Sequence, residues 1–460
     1  MHHITKISAL ALGIAGVLAF GQAQASGFQL REQSVKNLGR SGAGSTVGKN
    51  DAAVVSLNPA GMANVDKNTL QADFTVIDLD ADFAGSGQVL AGTPLASPIS
   101  GGNGGDPGDP TLVPNIAAVF PLHGALEGMV VGASIGAPFG LKTEYDPNWM
   151  GRYRAIESDV KTEDLTLSVA FKASEGISVG VGLVYERAEA TLSKAIDYGT
   201  IACASQVGGA ANCSPLAPFP IKPQSADGLF QVDGDSTSFG VIVGGQISTD
   251  SITIGVSYRS EIDHELQGNL QFGAPTFIAG NPLVAPRFAN GDGGAHLTTP
   301  SITTVSVRYD VTDDFRMLAD WQKTGWSSLQ DVTITRADGT VVGSEEFGWK
   351  DSNFLSLGAE YDIGDAFTLR AGVGKDHSPT NGTTRTPRLP DNDRQLYSVG
   401  LSWNASENFS IDAAFQRIEI DDPTINLSPN FASGGSDFAS LQGAFSGSAN
   451  LYGISAQYRF

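Results

Sequence analysis

Cysteine, basic side chains and long apolar runs are all scarce in this 460-residue sequence. Its two cysteines, Cys203 and Cys213, lie close together, which excludes both a disulfide framework spread through the chain and a four-thiolate zinc site. No run of about 20 apolar residues follows the first twenty positions, so no transmembrane helix is predicted there. Only 28 Lys and Arg stand against 49 Asp and Glu, and the formal net charge of −21 disfavours a nucleic-acid partner.

Short stretches of alternating apolar and polar residues are abundant instead. The last ten residues show the pattern, because every second side chain from Tyr452 to Phe460 is apolar and those between are glycine or polar. Successive side chains of a strand point to opposite faces, so this period places one apolar row toward lipid and one polar row toward a lumen. A closed sheet pairs all of its backbone groups, which lets a chain with a mean hydropathy of −0.05 cross a bilayer.

The gaps between these stretches are alternately short and long, and they predict fourteen strands. Short turns are expected at Leu122–Glu127, Ala173–Gly176, Ser248–Ser251, Thr312–Asp314, Ile363–Ala366 and Ala405–Asn408. Long loops are expected at 84–112, 140–151, 197–229, 267–296, 337–349, 379–392 and 421–448. An even strand number with turns and loops at opposite ends is typical of bacterial outer-membrane barrels. The alternative is a soluble protein with several sheets, which has no reason to alternate its loop lengths.

The N-terminal part of the chain does not follow the strand pattern. Residues 1–25 contain Lys6, an apolar stretch and the small-residue site Ala23-Gln24-Ala25, and are predicted to be a cleaved signal peptide. Residues 26–66 are rich in Gly, Ala and Ser, and precede a predicted barrel over 67–460. A lumen bounded by fourteen strands is wide enough to leak, so we expect residues 26–66 to fold into it as a hatch. A disordered tail is the alternative.

Several motifs, in order along the chain, resemble the FadL/TodX family of outer-membrane transporters of hydrophobic compounds. The matching segments are Ser26–Leu30, Leu38–Arg40, Asn58–Ala60, Ala137–Tyr145, Trp149–Tyr153 and Pro387–Arg394. The resemblance implies an all-β, fourteen-stranded monomeric barrel with an N-terminal hatch that contains Asn58, Pro59 and Ala60. It also implies a kinked third strand that opens the wall sideways. When a ligand displaces residues 26–30, we expect the loop around Asn58, Pro59 and Ala60 to shift and to connect the lumen with this opening, which is a gating role for these three residues.

The residues of the third predicted strand support such a kink. Gly136, Pro138 and Gly140 follow its apolar alternation, and proline lacks the N–H that a β-ladder needs. We expect a side opening at this position, with a merely structural bulge as the alternative. The function predicted is passive uptake of long-chain fatty acids or similar hydrophobic compounds, with lateral release into the outer membrane of a Gram-negative bacterium. A non-specific pore or adhesin is the second hypothesis.

An outer-membrane hydrolase is a third and weaker hypothesis. Gly132–Gly136 matches the Gly-x-Ser-x-Gly pattern of serine hydrolases, but it lies inside a predicted strand and not at a strand-to-helix turn. The sequence has no Gly-x-x-x-x-Gly-Lys-Ser/Thr loop, so ATP hydrolysis is not predicted. We therefore predict neither an enzyme nor a cofactor.

Strand parity selects candidate ligand-binding residues. Leu192 and Lys194 on the fifth strand and Lys350 on the tenth are predicted to face the lumen, where the two lysines are candidates for a carboxylate headgroup. The other charged side chains predicted to point inward are Glu186, Arg259, Arg308, Arg316, Asp320, Glu360, Arg370, Arg394 and Asp412, most of them as structural ion pairs. Phe28 and Leu30 are expected either to meet the apolar tail of a ligand or only to pack the hatch. Phe139, beside the kink, completes the predicted ligand set.

Two further groups are polar candidates outside the lumen. Cys203 and Cys213 share a predicted outer loop of an exported protein, so we expect a disulfide, with two free thiols as the alternative. Asp78, Asp80 and Asp82 share one strand face, where they would either bridge divalent ions and lipopolysaccharide or form a solvated strand end. The glycine and glutamate of a calcium loop are missing, and no metal site is predicted.

Overall fold

The wall of the molecule is a closed antiparallel β-barrel of fourteen strands. The computed structural model describes residues 26–94, 96–205, 222–282, 284–429 and 438–460, except for the side chains of 203–205. The first seven strands are β1 Thr69–Val89, β2 Thr111–Pro121, β3 Met129–Gly136 with Gly140–Glu144, β4 Glu157–Ser174, β5 Ile177–Asp197, β6 Asp227–Ser248, and β7 Ile252–Arg259 with Ile262–Phe272. The other seven are β8 Gly291–Thr299 with Ile302–Asp310, β9 Phe315–Thr324 with Asp331–Arg336, β10 Val341–Glu346 with Ser352–Ile363, β11 Phe367–Asp376, β12 Arg394–Ser406, β13 Phe409–Ile420 with Thr424–Leu427, and β14 Ala439–Arg459. Each strand pairs with the next, and β1 closes the barrel on β14 from Thr69↔Arg459 to Val89↔Ala439.

In the residues that the structure describes, helices are short and lie outside the wall ladders. The α-helices are α1 Val35–Leu38, α2 Val54–Leu57, α3 Tyr198–Ser205 and α4 Thr276–Ala279. The 3₁₀ turns are Pro59–Asn64, Gly124–Leu126, Ala285–Phe288 and Trp326–Ser328. A two-residue strand, Ser97–Pro98, pairs with the end of β1. In the described part of the chain, no helix is both long enough and apolar enough to cross a membrane.

The side-chain alternation predicted from the sequence is present in the wall. On β5, Ile177, Val181 and Tyr185 are exposed on the outer face, whereas Val184 and Glu186 are buried on the inner face. The six short turns fall where the sequence places them and define the turn end of the barrel; the loop end lies opposite. The predicted all-β fold of fourteen antiparallel strands is therefore confirmed.

Six of the seven predicted long loops are wrong in extent, because strands continue into all of them except 379–392. The span 337–349 was expected to be irregular, but Val341–Glu346 forms the first part of β10 and pairs with Asp331–Arg336 of β9. Only 337–340 form the hairpin tip. This segment lies beyond the lipid-facing apolar band, so neither of its faces needs to be apolar. Its polar and glycine residues therefore show no apolar–polar alternation from which a strand could be predicted.

Residues 26–66, here called the hatch segment, contact inward-facing side chains from several sides of the barrel. The Arg40 guanidinium lies 2.7 Å from Glu360 on β10, and the N–H of Val35 donates to Asp73 on β1 at 2.9 Å. The Ser168 hydroxyl of β4 donates to the carbonyl of Val55, also at 2.9 Å. Strands on different sides of the lumen thus bind the same segment, and most of its residues are buried.

Candidate functional site

The ladder of β3 is interrupted between Gly136 and Gly140. Gly136 pairs with Asp164 of β4, and Gly140 pairs with Lys161, so three residues of β3 oppose two residues of β4. The one extra residue is the signature of a β-bulge. It also exchanges the faces of the strand, because even-numbered residues point inward before the break and Leu141 and Thr143 point inward after it. On its other side, β2 pairs with β3 only up to Gly136.

The beginning of the hatch segment occupies the inner side of this break like a short additional strand. The N–H of Leu30 donates to the carbonyl of Pro138 and the N–H of Gly140 donates to the carbonyl of Phe28, each at 2.7 Å. Gln29 and Phe139 form the antiparallel bridge between these two bonds. Backbone groups that the bulge leaves without a wall partner are therefore satisfied by residues 28–30.

An aromatic cluster forms around Phe28 at this junction. The Phe28 ring centroid lies 4.7 Å from that of Trp326, 5.9 Å from that of Trp349 and 6.0 Å from that of Phe139. Trp326 and Trp349 come from the irregular segments that interrupt β9 and β10. The cluster thus joins the hatch segment, the break in β3 and the opposite side of the lumen through buried rings.

An apolar cavity with an unoccupied volume of about 1320 Å³ opens beside Phe28, toward the loop end. Its apolar lining comes from β3 to β10 and includes Leu141, Leu192, Phe230, Leu297 and Phe347. The charged residues of the lining are Lys194, Asp233, Glu345 and Arg388. A predominantly apolar cavity with a few charged groups suits a hydrophobic tail that carries a polar head.

Comparison with known proteins identifies the family. Residues 16–460 match the family model described as "Outer membrane protein transport protein (OMPP1/FadL/TodX)". The chain belongs to the FadL/TodX family. This membership and the barrel show an outer-membrane transporter of hydrophobic compounds, and they confirm a transport protein over the hydrolase hypothesis.

Relatives of FadL/TodX type match along the whole chain. A "47 kDa outer membrane protein" of Pasteurella multocida is 29% identical over 467 residues, covering 100% of both chains. A "Long-chain fatty acid transport protein" of Salmonella typhi is 28% identical over 466 residues, again covering 100% of both. The crystal structure of a Pseudomonas aeruginosa FadL homologue superposes with a TM-score of 0.84 at 28% identity, covering 94% of this chain and 99% of that one.

Arg388 is one of three charged residues of the cavity lining that the side-chain alternation did not predict in this FadL/TodX chain, with Asp233 and Glu345. It lies on the loop between β11 and β12, and this loop crosses the lumen to β3. There the Tyr145 hydroxyl donates to the carbonyl of Pro387 at 2.6 Å, and the Thr143 hydroxyl donates to the carbonyl of Arg388 at 3.0 Å. The Arg388 guanidinium donates to the carbonyl of Ser193 at 3.2 Å and lies 3.9 Å from Glu345. Burial lowers the pKa of Arg388. The Pro387–Arg394 motif was the only sequence signal for this position.

The structure separates the predicted ligand residues into two groups. Phe28, Leu192 and Lys194 line the apolar cavity, and Phe139 is fully buried in the aromatic cluster next to it. Leu30 points to the other side of the hatch segment and does not line this cavity. Whether any of these residues binds a ligand stays a prediction.

The expected inward orientation of Lys350 is wrong. Lys350 is exposed and lies in the irregular segment between Glu346 and Ser352, not on a strand. Period-two alternation does not carry through such a break, and the neighbouring Trp349 is the residue that turns inward to the cavity.

Asn58, Pro59 and Ala60 lie near the turn end of β5 and β6. The Asn58 side chain donates to the carbonyls of Thr46 at 2.9 Å and Gly245 at 3.3 Å, and it caps the 3₁₀ turn by accepting from the N–H of Ala60. The Ser178 hydroxyl donates to the carbonyl of Ala60 at 2.9 Å. The turn therefore fixes the hatch segment to the wall, and its role in gating stays a prediction.

The remaining candidates give no site in the described residues. Cys213 and the side chain of Cys203 fall outside those residues, so the disulfide stays a prediction. Asp80 and Asp82 are exposed and Asp78 is half-buried on the outward row of β1. Within the part of the chain that the structure describes, no group of three or more His, Cys, Asp or Glu could hold a metal ion.

Proposed function

We propose that this protein takes up long-chain fatty acids or similar amphiphiles passively, through displacement of the hatch segment and lateral release at the break in β3. The observation that carries the proposal is the double role of residues 28–30. They complete the broken strand through two backbone hydrogen bonds, and the same short segment presents the Phe28 ring to the apolar cavity. A ligand that displaces Phe28 would therefore also remove the strand that covers the break.

The chemistry of the cavity supports an amphiphilic cargo. Each buried methylene group contributes about 0.8 kcal/mol, so a long tail would leave water for this lining without an energy source. Lys194 and Arg388 place cations at the wall of the cavity, beside the carboxylates of Asp233 and Glu345. A carboxylate head would gain charge-assisted hydrogen bonds there. The relative from Salmonella typhi is named for transport of long-chain fatty acids, which agrees with this cargo class.

Lateral release is supported by the wall geometry. Beyond Gly136, β3 pairs with β4 only, and residues of the first loop take the place of a β2 partner: the N–H of Glu144 donates to the carbonyl of Pro107 at 3.0 Å. A loop and a hatch segment can move without breaking the continuous ladder of the other strands. One barrel encloses a complete path, so we propose that the monomer is the functional unit.

A disulfide lock tests whether the hatch segment must move. Gln29 and Phe139 form a bridge without mutual hydrogen bonds, a pairing whose Cα atoms lie about 4.5 Å apart and within the range of a disulfide. The double variant Gln29→Cys, Phe139→Cys should lose uptake of a labelled long-chain fatty acid when oxidised and recover it after reduction. Each single-cysteine variant is the control and should respond to neither treatment. Equal uptake by the oxidised and reduced double variant would contradict the displacement.

A further inference from the structure

One carboxylate of the apolar cavity, that of Glu345, lies in a wall that is otherwise mostly apolar. Glu345 belongs to the first part of β10 and pairs with Val332 of β9, and both residues line the cavity. Phe347 and Leu389 belong to the same lining. No described residue donates a hydrogen bond to the Glu345 carboxylate. A carboxylate that loses hydration at an apolar wall is costly unless a positive charge lies close to it.

Arg388 supplies this positive charge. Its Nε lies 3.9 Å from Glu345 Oε2, which is within the range of an ion pair but too long for a hydrogen bond. Among the described residues, Glu345 is the one carboxylate that forms an ion pair with Arg388. Arg388 Nη1 donates to the Glu157 carbonyl and to the Ser158 hydroxyl, each at 3.0 Å, and Nη2 donates to the carbonyl of Ser193 at 3.2 Å. These bonds fix the guanidinium but use only part of its five N–H groups.

The two partners of this ion pair differ in how firmly they are held. The Arg388 side chain is 7% exposed and donates three hydrogen bonds, whereas the Glu345 side chain is 30% exposed and accepts none in the part of the chain that the structure describes. A ligand carboxylate beside Arg388 would accept a direct, charge-assisted hydrogen bond from Nε, which Glu345 does not do at 3.9 Å. Glu345 is therefore the partner that can leave, because its carboxylate can rotate toward water.

We propose that Glu345 is a displaceable counter-ion of Arg388 and sets the affinity of the apolar cavity for carboxylates. In the empty cavity Glu345 compensates the buried cation, and the carboxylate of a fatty acid takes its place on binding. When Glu345 returns to Arg388, it favours departure of the cargo, and transport requires binding that is weak enough to be reversed. An uncharged head does not compete with Glu345. This inference rests on the proposed function, because it takes a fatty acid as the cargo of the cavity.

The test removes the competing charge and keeps the shape of the side chain. Glu345→Gln is compared with Glu346→Gln, a matched control, because Glu346 is the next residue, is exposed and does not line the cavity. The probes are radiolabelled hexadecanoate and 1-hexadecanol, bound to the purified protein in detergent. We expect Glu345→Gln to raise the ratio of hexadecanoate to 1-hexadecanol affinity about fivefold, the scale of a partly exposed ion pair, and to slow hexadecanoate dissociation. Glu346→Gln should keep the wild-type ratio.

A double-mutant cycle tests whether the effect acts through Arg388. In an Arg388→Gln background, Glu345→Gln should no longer raise the affinity ratio, because no cation remains for which the two carboxylates compete. Heat-dependent migration on gels verifies that every variant forms a folded barrel.

Three results would overturn the role of Glu345. Weaker hexadecanoate binding by Glu345→Gln would mean that the carboxylate positions Arg388 and does not compete with cargo. An equal rise of the ratio in Glu346→Gln would assign the effect to the overall charge of the protein. An unchanged ratio in Glu345→Gln, with normal binding by the wild type, overturns the role of Glu345 alone. A wild-type protein that binds neither probe would instead overturn the proposed function itself.

Discussion

Gly27 is the residue whose backbone positions the aromatic cluster. Its φ of +60° lies in the left-handed region, and a Cβ atom at this position would come within 2.7 Å of the Trp326 ring. Only glycine meets both conditions without strain. The N–H of Gly27 also donates to Asp391 at 2.9 Å, so the loop that carries Arg388 and the residue that precedes Phe28 are directly connected.

The role of Lys194 is testable by exchanging its charge for an apolar side chain of similar length. Lys194→Met should weaken binding of a long-chain fatty acid to the purified protein about tenfold, since a charge-assisted hydrogen bond contributes about 1.5–3 kcal/mol. Binding of an alkane of equal length should not weaken. Saturation binding of the two labelled ligands measures both effects.

Lys350→Met is the matched control for this experiment. It removes the same charge from an exposed position outside the cavity lining, so fatty-acid affinity should stay at the wild-type value. An equal loss in both variants would assign the effect to the overall charge of the protein and would contradict a headgroup role for Lys194.

Among the strands of the wall, β3 is distinguished by a bulge of one extra residue opposite β4. The extra residue between Gly136 and Gly140 leaves backbone groups that the wall does not pair, and residues 28–30 pair them from inside. An isolated unpaired strand segment would be unstable against lipid, so the bulge and the hatch segment depend on each other. The element that interrupts the wall is thus also the element that holds the hatch segment in place.

Deleting Pro138 tests this dependence. The deletion leaves two residues of β3 opposite two of β4, which restores continuous register and closes the break. We expect fatty-acid uptake to fall roughly tenfold or more, because the exit path is closed, while the apolar cavity still binds ligand, as measured by transport and by binding to the same purified variant.

Pro138→Ala is the control for the deletion, because it removes the proline but keeps the residue count and therefore the bulge. Its uptake should remain near the wild-type rate. Full uptake after deletion of Pro138 would show that cargo leaves by another route.

On the scale of the whole molecule, buried ion pairs connect the hatch segment to the wall near the turn end of the lumen. Glu360 contacts Arg370 at 2.8 Å, Arg316 at 3.1 Å and Arg40 of the hatch segment at 2.7 Å. Buried charges of opposite sign that share partners are strongly destabilised when one is removed, so this network resists loss of the hatch segment. The network holds the hatch segment against the inside of the wall, and we propose that the segment closes the lumen there.

The ion conductance of the purified protein tests whether the hatch segment closes the lumen, and it separates a transporter from a non-specific pore. Purified protein in a planar bilayer should show no large, steady ion conductance, because residues 26–66 contact opposite sides of the barrel interior. Binding of a labelled fatty acid should instead be saturable. A steady conductance typical of open porins, with no saturable binding, would favour the pore hypothesis.

The sequence predicted those features that depend on short-range periodicity. Strand number, turn positions and the orientation of side chains such as Ile177 and Glu186 follow from the two-residue period, which lipid on one side and a polar lumen on the other impose on every strand. The position of the break in β3 was also predictable, since Gly136, Pro138 and Gly140 are local signals of a failed ladder.

Only the tertiary structure determines which side chains come together inside the barrel. Arg388 reaches the apolar cavity from a loop that crosses the lumen, Leu30 does not line this cavity, and Lys350 is exposed to solvent. None of these positions belongs to a regular strand of the wall, so no local period fixes where their side chains point. Contacts between residues hundreds of positions apart set them, because burial and hydrogen bonding in a closed lumen depend on the whole chain at once.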